Sequence, residues 1–151
     1  MKEILLSDNL SVKKLENGLT VMLQELRYSP VAAVCLAYRA GPLWETSSTR
    51  GLSHFCEHMM FKGSAKFGPG AYWQMIQRNG GTANAYTSRD ITVYYSTVPK
   101  AGLSDILALE ADRMQNCRMT VEDVKSETGV ILKEALLTDR DDPAGTLDSL
   151  L

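Results

Sequence analysis

The sequence is short of several things, and each shortage excludes something. It has only two histidines and three cysteines among 151 residues, and no surplus of charge of either sign. Sixteen Lys and Arg stand against eighteen Asp and Glu, a formal net charge of −2. No basic footprint for nucleic acid exists. The longest apolar run, residues 31–38, is far below the ~20 residues a membrane span requires, so no membrane partner is expected. The opening MKEILLSDNL lacks the apolar core of a signal peptide. Cys35, Cys56 and Cys117 are odd in number, widely spaced and without a CxxC pair. That argues against a disulfide framework and for a reducing compartment, read here as the cytoplasm. What remains is ordinary: 44% hydrophobic and 23% charged residues describe a globular chain, and the length suits one domain.

Residues 11–15 and 19–26 flank Asn17-Gly18 and predict a hairpin with a two-residue turn. Residues 31–39, rich in Val, Ala and Leu, predict a buried strand stopped by Ala40-Gly41-Pro42. Residues 51–61 turn helical, with Leu52, Phe55, Met59 and Met60 near one stripe and Ser48 or Thr49 as a candidate cap. A short helix follows over 71–79, ended by Gly80-Gly81, and Trp73, Tyr72, Met75 and Ile76 read as core. Residues 82–98 predict two strands broken near 88–90. A helix over 103–117 places Leu103, Ile106, Leu107, Glu110 and Met114 on one stripe. Thr120 with Asp123 resembles a capping box for the next helix, which carries Val121, Val124, Ile131, Leu132 and Leu136. Asp142-Pro143 opens a last segment with Leu147, Leu150 and Leu151 at helical spacing. Cys35 and Cys117 read as packing residues. Strands first and helices later predict an α+β fold, helices layered on a largely antiparallel sheet.

The chemistry concentrates in His54-Phe55-Cys56-Glu57-His58. On a helix, positions four apart share a face, so two imidazoles can hold one metal ion. Glu57 lies on the same turn, where it can reach a metal-bound water as general base. The order H-x-x-E-H is the inverted zincin pattern. A catalytic zinc takes three protein ligands, and no third histidine exists, so the third is a carboxylate or a Cys. Glu127 and Glu134, seven apart on one helix face, are candidates: one to ligate, the other to orient.

The stretch GLSHFCEHMMFKGS, followed by NGGTANAYTSRDITVYY and then ETGVILKE, resembles the pitrilysin/insulinase family of zinc metallopeptidases, which includes mitochondrial processing peptidase. The match runs in order from the Asn17-Gly18 hairpin to about Pro143. The resemblance implies one Zn2+ per chain held by His54, His58 and Glu134, with Glu57 as the general base. Glu127 would support the site without ligating. Asn84 and Ala85 would begin an active-site edge strand to which peptide substrates add as an extra strand. The implied activity is endopeptidase cleavage of extended peptides or small unfolded proteins. The implied partners are those peptides and a second homologous domain or subunit that closes the chamber. Family members are longer than this chain. Residues 1–151 are therefore expected to be the N-terminal portion of a catalytic domain, and a poor peptidase alone. The alternative is a non-catalytic subunit serving substrate binding or assembly.

Overall fold

The turn at Asn17-Gly18 forms, though not as a two-residue hairpin. In the computed structural model, which describes residues 3–7 and 9–141, β2 (Leu10–Lys14) and β3 (Thr20–Gln24) pair antiparallel, Leu10 opposite Gln24 and Lys14 opposite Thr20. The Leu15 N–H donates to the Leu19 carbonyl at 2.8 Å and the Gly18 N–H to the Leu15 carbonyl at 3.0 Å. The loop is therefore the three residues Glu16, Asn17 and Gly18. Gly18 takes φ +89°, the left-handed conformation that closes a loop of this length. β1 (Glu3–Ser7), which the sequence pattern does not announce, adds antiparallel to β2. The three strands form one sheet in the order β1-β2-β3 and belong to a compact unit ending at Val31.

The second unit starts at Ala32 and carries the other sheet, in the order β4-β6-β5. β4 covers Val31–Tyr38, β5 Thr82–Thr87 and β6 Thr92–Pro99. β5 and β6 are antiparallel, from Thr82 opposite Thr97 to Thr87 opposite Thr92. β6 is central and mostly buried, as a strand flanked on both sides should be. β4 corrects an expectation: it alternates exposed and half-buried residues instead of being buried throughout, because successive side chains point to opposite faces and only one face is covered. Cys35 consequently lies exposed rather than packed, whereas Cys117 is half-buried.

Among the described residues there are four α-helices, and they do not all come after the strands as the sequence pattern suggests: α1 (Leu52–Met59) and α2 (Ala71–Arg78) lie between β4 and β5, α3 (Leu103–Asn116) and α4 (Val121–Asp141) after β6. Tyr72 and Ile76 of α2, Val98 of β6, and Ile106 and Leu109 of α3 make the core. Val34, Phe61, Phe67, Met75 and Ala83 pack around it. The fold is thus α+β, as expected. The stripes on the longer helices differ from the expected ones. On α3 the inner face is Ile106, Leu109, Glu110 and Arg113, while Leu107 and Met114 are exposed. On α4 Glu127 is buried, and Val121, Leu132 and Leu136 are exposed. The 3.6-residue period holds, but charged residues occupy part of each buried face and displace the apolar stripe. Trp73 is also more exposed than a core residue, with one face stacked on Phe61 at 5.1 Å. Thr120 caps α4: its hydroxyl accepts from the Asp123 N–H at 3.1 Å, the first half of a capping box, and donates to the Asp123 carboxylate at 2.6 Å. The segment at Asp142-Pro143 and the stripe Leu147, Leu150, Leu151 lie outside the described residues.

Candidate metal centre

α1 begins without the cap its sequence suggests. Neither Ser48 nor Thr49 caps it. Gly51 is the cap residue, at φ +82°, and offers no side chain. Glu45 does the work from six and eight residues upstream. Its carboxylate accepts the Gly51 and Ser53 N–H groups, each at 2.7 Å. A negative charge at a helix N-terminus satisfies orphan donors and complements the helix dipole. Burial opposes the Glu45 charge, but the hydrogen bonds from Ser53 and Gly51 outweigh it and hold the carboxyl below its ordinary range.

The helix so anchored presents His54 and His58 with ring centroids 4.8 Å apart and planes nearly perpendicular. α4 packs against α1 and brings Glu134 to the pair. Its Oε2 lies 3.5 Å from His58 Nε2 and 3.9 Å from His54 Nε2. One ligand atom from each of the three residues lies within 4.8 Å of the others. Two ligands at 2.0–2.1 Å in a tetrahedral shell stand roughly 3.3 Å apart. Two imidazole nitrogens and a carboxylate oxygen at these separations could hold a zinc ion once they close by up to about 1.5 Å. His54 and Glu134 are partly open, with side chains 41% and 46% exposed, so the ion would face the surface of this unit. Cys56, on the same helix, is not among the converging donors. Burial, and secondarily Glu45, pushes its thiol up, away from the thiolate form that binds metals.

Glu127 lies behind the cluster, one helix face with Glu134 but buried. Its Oε2 is 3.0 Å from His58 Nδ1, and its Oε1 meets the Lys62 ammonium. An ionised carboxylate only accepts, so this contact places a His58 proton on Nδ1 and turns Nε2 toward Glu134. Burial disfavours the Glu127 charge, but the Lys62 and His58 hydrogen bonds prevail and lower its pKa. Glu57 is half-buried on the side of α1 that meets β5, where its Oε2 accepts a 2.6 Å hydrogen bond from the Thr87 hydroxyl. Asn84 and Ala85 lie on β5, an outer strand among the described residues. Asn84 is exposed, Ala85 half-buried, and the Asn84 side-chain oxygen accepts the Ala85 N–H at 2.9 Å.

Three residues of this neighbourhood escape sequence reasoning. Glu45 looks like loop, and only the fold brings it to α1. Lys62 lies one turn beyond His58, but its partner is 65 residues further on. Thr87 carries a readable signal: in a strand it shares a face with Ala85, two positions earlier.

Two histidines and a glutamate thus converge beside a second glutamate in a layered α+β unit, a donor set that could hold a metal ion. The sequence model of the insulinase family (Peptidase family M16) matches residues 20–146, and the chain belongs to that family. It is 36% identical over 129 residues to a zinc protease, itself uncharacterised, of Rickettsia bellii (strain RML369-C), covering 85% of this chain and 31% of that protein. It is 37% identical over 120 residues to a probable mitochondrial-processing peptidase subunit beta of Schizosaccharomyces pombe (strain 972 / ATCC 24843), covering 80% of this chain and 26% of that one. The crystal structure of a protease from Helicobacter pylori superposes with a TM-score of 0.86 at 29% identity, over 91% of this chain and 33% of that one. The chain thus spans between a quarter and a third of these relatives. No described helix is long and apolar enough to cross a membrane.

Proposed function

We propose that the chain forms the zinc-binding portion of an endopeptidase that cleaves extended peptides or small unfolded proteins. The observation that carries this is the convergence of His54 Nε2, His58 Nε2 and a Glu134 carboxylate oxygen, with Glu57 one residue before a ligand. In this reading His54, His58 and Glu134 hold Zn2+, which when bound supplies a Lewis acid that acidifies water and polarises a carbonyl. Glu57 accepts a proton from the attacking water at its carboxylate and delivers it to the leaving amine nitrogen. Glu127 fixes the His58 ring and tautomer. The outer edge of β5, from Asn84 and Ala85 onward, aligns the substrate main chain, which favours extended peptides over any one sequence. The share of the relatives' length that is matched supports a larger assembly, in which the rest of the domain and a second homologous domain or subunit close over the peptide. Isolated residues 1–151 would then turn peptides over slowly, for want of positioning. The free thiols fit a reducing compartment such as the cytoplasm. The rival reading, a non-catalytic subunit, expects a lost ligand or base, and His54, Glu57, His58 and Glu134 are all present.

Glu57→Gln in the full-length protein tests the reading. It should lower kcat on an unstructured peptide by about 10²–10⁴-fold while zinc stays bound. Parental turnover, or loss of zinc, would contradict the role given to Glu57.

A further inference from the structure

Glu57 reaches its site on a flexible side chain with three rotatable bonds, and a general base works only when its oxygen is held in line with the proton it takes. The feature that holds it comes from another element. The Thr87 hydroxyl on β5 donates to Glu57 Oε2 at 2.6 Å, in the short range of charge-assisted O–H···O⁻ bonds. Thr87 is itself held. Its Oγ1 lies 3.3 Å from that of Thr92, the residue opposite it on β6. Thr92 is buried, and its hydroxyl donates to the Ala40 carbonyl at 3.0 Å. A hydroxyl has one proton. That of Thr92 is committed to Ala40, so that of Thr87 is directed to the stronger acceptor, the Glu57 carboxylate.

We infer that Thr87 is a positioning residue for the peptidase reaction: it clamps Glu57 Oε2 to the β5–β6 hairpin and leaves Oε1 to receive the proton of the attacking water. Thr87 is not one of the three metal-ligand candidates, and its hydroxyl is taken up by Glu57 and Thr92 rather than turned to the substrate edge. Its removal should therefore affect the rate of the chemical step and not the metal or the Michaelis constant. The same hairpin edge that aligns the substrate main chain also aligns the base, so a substrate seated on β5 and the carboxylate that serves it share one frame. The inference rests on the reading of Glu57 as general base.

The test compares three variants of the full-length, zinc-loaded protein on one unstructured fluorogenic peptide, with rates expressed per bound zinc. Thr87→Val keeps the shape and removes the donor. It should lower kcat by about 10–100-fold, the effect usual for groups that orient a catalytic side chain, with KM and zinc content within about twofold of the parent. Thr87→Ser restores the hydroxyl and should recover most of the rate, which a purely structural role for the threonine would not require. Glu57→Gln supplies the reference. If Glu57→Gln is inactive while Thr87→Val keeps the parental kcat, or if Thr87→Ser is as slow as Thr87→Val, the inference is overturned and the peptidase reading stands. If Glu57→Gln keeps the parental rate, the reading falls and the inference with it.

Discussion

Glu110 and Arg113 sit three residues apart on α3, as His54 and His58 sit four apart on α1, yet the two sets meet opposite surroundings. The α3 pair is sealed, with side chains only 4% and 2% exposed. The Arg113 guanidinium grips the Glu110 carboxylate through Nε and Nη2, the latter at 2.8 Å. It lies over the rings of Tyr94, Tyr72 and Phe61 at 4.4, 4.8 and 5.4 Å. Burial still dominates there: it raises the Glu110 pKa despite Arg113, and pushes the Tyr72 hydroxyl up to about 12. The α1 set is half open, and its donor atoms converge on one another across two helices. Charges cancelled within a closed cluster serve the fold. Lone pairs gathered at an accessible one suit a bound cation. Glu127 belongs to both kinds, buried like Glu110 and neutralised by Lys62, but with its second oxygen on His58 of the open site.

That contrast can be broken at the sealed end first. Arg113→Ala leaves Glu110 buried without its cation and removes the cation–π contacts, and should cost about 3–5 kcal/mol of stability. Denaturant unfolding measures it. A loss under ~1 kcal/mol would mean the pair is not the structural element described here. The effect should appear with or without zinc, since the pair faces the rings and not the histidines.

Glu127→Gln sharpens the middle ground. The fold should survive, because Gln keeps the size. His58 loses its charged acceptor, so zinc affinity should fall by about 10–100-fold in a competitive chelator titration. Unchanged affinity would make Glu127 a partner of Lys62 alone.

The smallest effect belongs to Glu45. Glu45→Gln weakens the cap of α1 and should cost about 1 kcal/mol. Its folded-state pKa lies below the unfolded value, so its contribution is complete above the ordinary carboxylate range and fades as pH falls through the folded value. The Tm difference between parent and variant should therefore be open at neutral pH and close in acid. A gap that widens on acidification would contradict the assignment.

How legible these regions were in the sequence follows from how local their causes are. The His54–His58 spacing, the Thr120 cap and the turn at Gly18 are set within a few residues, and the sequence shows them. Glu134 shares a helix face with Glu127, but only the family resemblance tells which of the two faces the histidines. On α3 the period was visible and the phase was not. A stripe through Leu107 and Met114 looks as apolar as the true one, because the pairing of Glu110 with Arg113 makes two charged residues acceptable inside. Glu45 and Lys62 act across 6 to 65 residues of chain, through contacts that no local pattern encodes, and Thr87 shows its strand face but not its partner 30 residues away. The alternating exposure of β4 is not legible, because an apolar run does not say how many of its faces will be covered.

The central claim is that two imidazoles and one carboxylate, without a thiolate, form the metal centre. Zinc-edge X-ray absorption on the zinc-loaded full-length protein tests it most directly. The account predicts about one zinc per chain with only nitrogen and oxygen neighbours at about 2.0–2.2 Å, two of them imidazoles, and a disrupted shell in Glu134→Gln. A sulfur neighbour at about 2.3 Å, which would bring in Cys56 or another thiol, or an unchanged shell in Glu134→Gln, would contradict it.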